Sequence, residues 1–553
     1  MTTRNLEFFF KPRSVALIGA SRDPHRVGGA VARNLQAGGF AGPVMLVNRR
    51  SEPDAAHGVY TRLADLPQVP ELAVVAIPAP QVPETIAELG AAGTRAAVVL
   101  SAGFEEMDGE AGAALQRATL EAAQPHLMRI IGPNCLGILM PKVGLNASFA
   151  HLMARPGNLA FIAQSGAILT AVVDWAEDRG IGFSALISLG ASADVDFGDL
   201  LDYLANDWDT RAILIYVESV RHARKFMSAA RLAARLKPVI VVKGGRYAQS
   251  AQAVASHTGA LAGVDAVYAA AFRRAGMVQV DSMAELFDAV ETLGHSNPRF
   301  GERLAMITNG GGIGVLATDE LTRLGGSLAT LSENTRHRLR DVLPPLCSTQ
   351  NPVDVLGDAD ASRYRESLRI LYEAPEVDTV AVFNCPVGVA SSHEAAEAVI
   401  EIHQTPRKGL LTNWLGAKTA QLAREAFAAH HIPSYETPDQ VIRAYMHLIR
   451  YRRNQRLLLE TPPSMPQAFL PDTEAAQAVI DRARARGGGW LSLAEGMALL
   501  AAYRIPVVQT AAVATPEDAA TQTAAWAVPV VLKVSSPDIL HKRAMGGVAL
   551  NLQ

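Results

Sequence analysis

The sequence has few cysteines, no strong charge of either sign and no long apolar run. Its three cysteines lie far apart and form no CxxC pair, so neither a disulfide framework nor a zinc site is indicated. The formal net charge of -3 lacks the basic excess with which nucleic-acid-binding proteins neutralise phosphates. The first residues lack the apolar stretch of a signal peptide, and no run approaches the ~18 apolar residues of a membrane helix. These absences predict a soluble, cytoplasmic protein that binds neither nucleic acid nor membrane.

A chain of 553 residues is too long for one hydrophobic core, so several domains are expected. Short β-branched apolar runs alternate with alanine-rich amphipathic stretches, such as the helices expected at 27–36 and 82–91. Strands that are apolar on both faces and alternate with helices predict parallel sheets covered on both sides, an α/β fold. Four prolines between residues 461 and 472 indicate a linker. One helix and two strands are expected after residue 491, and this last segment is expected to be a truncated domain.

The first strand ends in a glycine turn that suits a ligand rich in phosphate. Val15-Ala-Leu-Ile runs into Gly19-Ala-Ser-Arg, and a helix whose N–H groups can face an anion follows Gly28-Gly29. After the next strand comes Asn48-Arg49-Arg50, where NAD-binding folds usually place an acidic residue. Two arginines favour an extra phosphate, as on NADP or CoA. An exposed loop with two surface arginines fits these residues equally well.

A histidine in a small-residue loop is the candidate nucleophile. His257 lies in Ala255-Ser-His-Thr-Gly-Ala, and a neutral imidazole can attack a phosphoryl group. Gln164-Ser165-Gly166 follows a strand and opens a helix, so its N–H groups could hold a phosphate. Glu218 ends another strand and could accept a ring N–H, while Gly310-Gly-Gly-Ile-Gly314 forms a third glycine turn. Taken singly, each feature also fits a packing turn or a charge at the rim of a sheet.

Taken together and in order, the motifs resemble the ADP-forming acyl-CoA synthetases, which are relatives of succinyl-CoA synthetase. The matching stretches are Phe10-Lys-Pro-Arg-Ser-Val-Ala-Leu-Ile-Gly-Ala-Ser, Gly132-Pro-Asn-Cys-Leu-Gly, Ala163-Gln-Ser-Gly-Ala, Ser256-His-Thr-Gly-Ala, Asn351-Pro-Val-Asp and Ser536-Pro-Asp-Ile-Leu-His-Lys with Gly546-Gly-Val. They cover essentially the whole chain. Six motifs in family order are far more specific than any one of them.

The resemblance implies the domain organisation. A Rossmann-like CoA-binding domain is expected at 1–140, followed by a succinyl-CoA-synthetase-like flavodoxin domain with a phosphohistidine at 150–297. A second, ligase-CoA domain is expected at 300–458 and a linker at 459–488. Residues 489–553 are expected to be the N-terminal part of an ATP-grasp domain.

The resemblance also implies roles for individual residues. His257 matches the histidine that becomes phosphorylated, and Glu218 matches its supporting glutamate. In the last segment Lys533 matches a lysine that contacts ATP, and His541 matches a second histidine proposed to relay phosphate. Gln164, Ser165 and Gly166 are expected to hold phosphate. The residues expected to contact CoA are Gly19, Ala20, Ser21, Arg49, Ser101 and Asn134.

The implied reaction converts acyl-CoA, phosphate and ADP into a carboxylic acid, CoA and ATP, with an acetate-like acid. No metal ligand is identified in the sequence, although Mg²⁺ is expected at the nucleotide step. A homo-oligomer, or a partner that supplies the rest of the ATP-grasp domain, is expected. Two alternatives stay open: an acyl-CoA-sensing regulatory body of a protein-lysine acetyltransferase, suggested by Tyr445 to Gln455 and the linker, and an NADP-dependent reductase.

Overall fold

The computed structural model describes residues 3–49, 53–54, 58–107, 110–178, 180–247, 249–250, 264–295, 300–404, 408–460, 469–536, 539 and 542–552. The chain divides into two compact units, Met1–Glu460 and Thr461–Gln553. The first unit contains three parallel or mostly parallel sheets, and the second contains a small antiparallel one. The α/β fold class predicted from the sequence is therefore confirmed.

The first sheet has the strand order β3-β2-β1-β4-β5-β6, and its registered pairs are parallel. The strands β1, β4 and β5 are buried along their whole length, as expected for a sheet covered on both faces. The strand order reverses between β1 and β4, which is where such folds bind nucleotides. The elements are α1 (Glu7–Phe10), β1 (Val15–Ile18), α2 (Val27–Ala37), β2 (Val44–Val47), β3 (Val59–Tyr60), β4 (Leu72–Val75), α3 (Val82–Ala92), β5 (Ala96–Val99), α4 (Glu110–Ala123) and β6 (Arg129–Ile131).

The second sheet has the order β13-β12-β11-β9-β10-β7-β8. Its edge is an antiparallel hairpin, β7 (Gly137–Met140) with β8 (Leu145–Ser148), so the expected boundary at residue 140 falls inside this sheet. Its other strands are parallel and alternate with helices. These elements are β9 (Pro156–Ala163), α5 (Gly166–Asp178), β10 (Phe183–Ser188), α6 (Phe197–Asn206), β11 (Ala212–Val217), α7 (Ala223–Leu236), β12 (Val239–Lys243), α8 (Asp265–Ala275), β13 (Val278–Val280) and α9 (Met283–His295).

The third sheet is parallel and has the order β15-β14-β16-β17-β18. Its last helix, α15 (Pro438–Leu459), also contacts the second domain, because Asn454 donates to Met277 O, just before β13, at 2.9 Å. The elements are β14 (Leu304–Thr308), α10 (Gly311–Arg323), α11 (Glu333–Val342), β15 (Val353–Asp354), α12 (Ala361–Glu373), β16 (Thr379–Asn384), α13 (Ser392–His403), β17 (Gly409–Trp414), α14 (Gln421–Ala429), β18 (Ser434–Tyr435) and α15 (Pro438–Leu459).

The second unit differs from its prediction in two ways. The expected linker at 459–488 includes a helix, α16 (Thr473–Ala485), which Asp472 caps by accepting from Ala475 N–H. Two helices, not one, follow residue 491: α17 (Leu493–Ala502) and α18 (Pro516–Trp526). Ser492 and Thr515 cap them by accepting first-turn N–H groups, a local signal that the prediction of one helix did not use. The strands β19 (Val530–Lys533) and β20 (Val548–Leu552) pair antiparallel.

Among the described residues, no helix is both long enough and apolar enough to cross a membrane.

Candidate functional site at the carboxyl edges of the first two sheets

The turn after β1 is built by two glycines that no other residue could replace without strain. Gly19 has a φ of +96°, and a Cβ there would lie 2.3 Å from Ala76 O. Gly28, in the first turn of α2, approaches this turn so closely that its Cβ would lie 2.0 Å from Gly19 O. The start of α2 is therefore packed directly on the turn. This brings helix N–H groups to the edge of the sheet, where an anion can bind.

The loop after β2 is tied to the same turn. The Asn48 side chain donates to Ala20 O at 2.6 Å, which joins the carboxyl ends of β1 and β2. Ser21 accepts from Asp23 N–H at 3.1 Å, so its hydroxyl closes the turn locally. Arg49 follows Asn48 and is exposed. Because the residue is exposed, its guanidinium can contact a phosphate group of a bound ligand.

Ser101 and Asn134 lie next to each other at the ends of β5 and β6. Asn134 N–H donates to Ser101 O at 2.9 Å, and Ser101 Oγ donates to Ile77 O at 2.5 Å. Asn134 has a φ of +53° and lies against the second domain, because a Cβ on Gly190 would be 2.3 Å from Asn134 O. The two residues therefore lie where the first domain meets the second.

A cavity of about 490 Å³ lies at this junction. Its wall combines two predicted CoA residues, Ser101 and Asn134, with the predicted phosphate residues 164–166. Glu106 and Phe149 also line it, and neither was among the predicted site residues. The described part of its wall does not include Gly19, Ala20, Ser21 or Arg49. These four residues lie along the edge of the first sheet, at the ends of β1 and β2. The structure thus brings part of the predicted CoA set together with the predicted phosphate set.

Gln164 uses its side chain to organise the neighbouring strand end. Its Oε1 accepts from Glu218 N–H at 2.6 Å and from Ser219 N–H at 2.9 Å. Ser165 accepts from Ile168 N–H at 3.4 Å at the start of α5. The Gln164 oxygen is therefore occupied in holding the Glu218 loop, and the first turn of α5 supplies the N–H groups that a phosphate would use.

Glu218 lies at the carboxyl end of β11 and is only 6% exposed. Burial and the charge of Glu218, to which the Tyr216 hydroxyl donates, raise the pKa of Tyr216 to about 12. Gly244, which directly follows the adjacent strand β12, has no room for a side chain because a Cβ would lie 2.6 Å from Tyr216 Oη. The Glu218 carboxylate therefore lies at a closely packed, polar edge of the second sheet.

Other candidate residues lie elsewhere or outside the described residues. His257 and His541 are outside them, so their positions are not described. Lys533 is the last residue of β19 in the second unit and is exposed. Burial, opposed by a hydrogen bond from the Gly137 backbone, raises the pKa of the Cys135 thiol to about 12, which makes it a poor nucleophile.

Known families match consecutive parts of the chain. The CoA binding domain matches residues 13–141, the succinyl-CoA ligase like flavodoxin domain 156–293, the Ligase-CoA domain 304–432 and the ATP-grasp domain 482–553. The fold and the site therefore define a succinyl-CoA-ligase-like α/β protein.

Individual relatives show which family within this class the chain belongs to. The chain is 36% identical to acetate–CoA ligase [ADP-forming] I of Archaeoglobus fulgidus, over 99% of this chain and 78% of that protein. It is 38% identical to the alpha subunit of acetate–CoA ligase [ADP-forming] I of Pyrococcus furiosus, over 81% of this chain and 98% of that subunit. The chain belongs to the family of ADP-forming acetyl-CoA synthetases and is an ADP-forming acyl-CoA ligase.

A solved structure agrees with this assignment. Dinucleotide forming acetyl-coenzyme A synthetase 1 of Ca. Korarchaeum cryptofilum, in complex with phosphate and ADP, superposes with a TM-score of 0.76. It is 32% identical and covers 83% of this chain and 99% of that chain. The predicted family, fold class and ligase activity are confirmed. These relatives are ligases and give no support to the regulatory or the reductase alternative.

Proposed function

We propose that the chain converts acyl-CoA and phosphate into a carboxylic acid and CoA, and keeps the phosphoryl group on His257 for transfer to ADP. The observation that carries this proposal is the cavity in which Ser101 and Asn134 face residues 164–166. It offers one space in which a CoA thioester and a phosphate can meet. Acetate, or an acid of similar size, is the proposed substrate.

The chemistry proceeds in three balanced steps. A phosphate oxygen attacks the thioester carbonyl, and the CoA thiolate leaves, which gives an acyl phosphate. The His257 nitrogen then attacks phosphorus, and the carboxylate leaves. ADP finally takes the phosphoryl group and forms ATP. The chain mainly positions phosphate and offsets its charge, which is the general requirement of phosphoryl transfer.

The described residues have distinct proposed tasks. The first turn of α5 holds phosphate with its N–H groups, while Gln164 fixes the loop that carries Glu218. Glu218 accepts a ring N–H of His257 and so selects the attacking nitrogen. Gly19, Ala20 and Ser21 hold the CoA diphosphate at the start of α2, and Arg49 binds the 3′-phosphate.

The nucleotide step is proposed for the second unit. Lys533 binds ATP phosphates there, and His541 relays the phosphoryl group. Mg²⁺ bound there would be held mainly by the nucleotide phosphates and would offset their negative charge. The protein assembles as a homo-oligomer or with a partner chain that supplies the rest of an ATP-grasp domain, and the reaction takes place in the cytoplasm.

Phosphate labelling tests the proposal. The chain is incubated with acetyl-CoA and radiolabelled phosphate, and acid-labile, base-stable label is measured. Label is expected in the wild type and in His337→Ala, which removes an exposed helical histidine, but not in His257→Ala. Label that persists in His257→Ala would contradict the assignment of this histidine. Absence of label from the wild type, with CoA still bound, would contradict the proposed half-reaction.

A further inference from the structure

Phe149 is an aromatic residue in the wall of the cavity where CoA and phosphate are proposed to meet. It follows β8, at the open end of the hairpin β7–β8, and is 38% exposed. In the described part of the wall it is the one aromatic residue. Most of its neighbours in that wall that carry no polar side chain are small: Ala76, Ala102, Gly166, Ala167, Gly190 and Ala191.

The loop that carries Phe149 is fixed by its backbone. Asn34, on α2, donates from Nδ2 to Ser148 O and to Ala150 O, both at 2.8 Å, so it binds the carbonyls on either side of Phe149. Phe149 N–H donates to Leu136 O at 3.3 Å. Phe149 itself belongs to none of the hydrophobic core clusters of the described residues. The loop is therefore held in place while the ring stays free to contact a ligand, as aromatic residues in binding pockets do.

Leu136 connects Phe149 with the proposed position of phosphate. Leu136 N–H donates to the Ser188 hydroxyl at 3.0 Å, and its carbonyl accepts from Phe149. A Cβ on Gly166, the first residue of α5, would lie 3.0 Å from Leu136 Cβ. Leu136 thus lies between Phe149 and the turn whose N–H groups are proposed to hold phosphate. In the first step a phosphate oxygen has to approach the thioester carbonyl to about 3–3.5 Å, so the thioester lies near these residues as well.

The direction of CoA places the acyl group at this end of the cavity. The CoA diphosphate is proposed to bind at the start of α2, at the edge of the first sheet. Its thioester must reach the first turn of α5, which belongs to the second domain. The acyl group is attached beyond the sulfur and therefore extends farther from the diphosphate. Beside α5, the described wall offers it Leu136, Phe149 and Ala167.

We propose that the Phe149 ring closes the end of the acyl pocket and restricts the substrates to acids with short acyl chains. This inference rests on the proposed function, since it uses the position assigned there to phosphate. A short acyl group lies between phosphate and the ring, and contact with the ring removes its apolar surface from water. A longer chain needs the space that the ring occupies. The loop cannot yield to it without breaking the two hydrogen bonds from Asn34.

The preference for acyl-chain length tests the inference. Initial rates of phosphate labelling with acetyl-CoA and hexanoyl-CoA give two apparent second-order rate constants, and their ratio is compared between variants. Phe149→Ala is expected to raise the ratio of hexanoyl-CoA to acetyl-CoA at least tenfold, because even one methylene group in an apolar pocket changes specificity about tenfold or more. Phe149→Trp is expected to lower the ratio. Leu152→Ala is the matched control: Leu152 is 37% exposed, lies three residues further along the chain and is outside the described cavity wall, so the ratio should not change.

Binding supplies a measurement that does not need phosphoryl transfer. Calorimetric titrations with the same two acyl-CoAs give their Kd values, and Phe149→Ala is expected to improve the relative affinity for hexanoyl-CoA at least tenfold. Phe149→Trp covers a folding defect of the alanine variant, since its expected change has the opposite sign. Unchanged ratios in both folded Phe149 variants would overturn the inference, as would an equal change in Leu152→Ala. If the wild type takes up no phosphate from either acyl-CoA, the proposed function fails, while the ratio of affinities still decides the role of Phe149.

Discussion

Gln164 holds Glu218 by its backbone: the Gln164 side-chain oxygen accepts Glu218 N–H at 2.6 Å and Ser219 N–H at 2.9 Å. The two residues follow neighbouring strands, β9 and β11, and are 54 positions apart in the sequence. The third sheet uses the same arrangement. Asn309 follows β14, accepts from Cys385 N–H at 2.7 Å and donates to Cys385 O at 2.9 Å just after β16. An amide after one strand thus fixes the loop after the next in both sheets.

Gln164→Leu is expected to lower the rate of His257 phosphorylation at least tenfold while leaving CoA affinity near that of the wild type. The substitution leaves the N–H groups of Glu218 and Ser219 without their acceptor in a partly buried position. This costs about 1–3 kcal/mol for each group and releases the Glu218 loop. Initial rates of phosphate labelling and a CoA titration measure the two effects. Ser184→Ala is the control, because it breaks a buried hydrogen bond to Thr210 at the far end of β10. Equal loss of rate in both variants would point to a general effect on folding.

Gly28→Ala is expected to destabilise the first domain and to weaken CoA binding. The added Cβ would meet Gly19 O at 2.0 Å, and no side-chain rotation can relieve a contact between backbone groups. Overpacking of this kind costs about 1–3 kcal/mol, and the shifted α2 would withdraw its N–H groups from the ligand. Gly496→Ala, in the helix α17, is the matched control, because apart from the neighbouring backbone of α17 no atom lies within 4 Å of the added Cβ. It is expected to keep or raise the melting temperature. Thermal unfolding with and without CoA separates the two variants.

Arg49→Gln is expected to weaken the binding of CoA more than that of dephospho-CoA. The exposed guanidinium is proposed to bind the 3′-phosphate, which dephospho-CoA lacks, so the preference for CoA should fall about tenfold. Calorimetric titrations with both ligands measure this preference. Arg62→Gln is the control, since Arg62 is an exposed arginine of the same domain that pairs with Asp65 at 2.7 Å. An unchanged preference in Arg49→Gln would assign the 3′-phosphate to another residue.

The regular elements could be predicted from the sequence because their signals are local. The helices expected at 27–36 and 82–91 are observed at Val27–Ala37 and Val82–Ala92. The helix α16 was missed because nearby prolines dominated the pattern, and the hairpin β7–β8 because it is completed by pairing with β10. Strand order and side-chain contacts are non-local properties, so they needed the structure.

Part of the arrangement of the site could also be predicted from the sequence. Parallel strands place their carboxyl ends at one edge, so a meeting of residues 164–166 with Glu218 could be expected. The bridge from Gln164 to the Glu218 loop could not, since it depends on a partner 54 residues away whose distance no sequence pattern encodes. Phe149 and Glu106 enter the cavity wall for the same reason. The family motifs supplied His257, Lys533 and His541, and the labelling experiment tests the proposed role of His257.

His403 is expected to make the third domain less stable in mild acid. Burial lowers the pKa of His403 to about 4, and its Nδ1 lies 2.7 Å from the Tyr372 hydroxyl. The unfolded chain therefore binds a proton below about pH 6.5, where the folded protein does not. Stability is lost as the pH falls from about 6.5 towards 4, by at most about 1.4 kcal/mol per pH unit.

His403→Gln removes this titration and keeps an acceptor for Tyr372, so it should lose less stability than the wild type between pH 7.5 and pH 5. The difference is expected to be at most about 2 kcal/mol, a shift of a few degrees in melting temperature. His337→Gln is the control, because His337 lies on α11 in the same domain with an exposed side chain. It should follow the wild-type pH dependence. If all three proteins lose the same stability, His403 is protonated as readily in the folded protein as in the unfolded chain, and another group must account for the acid sensitivity.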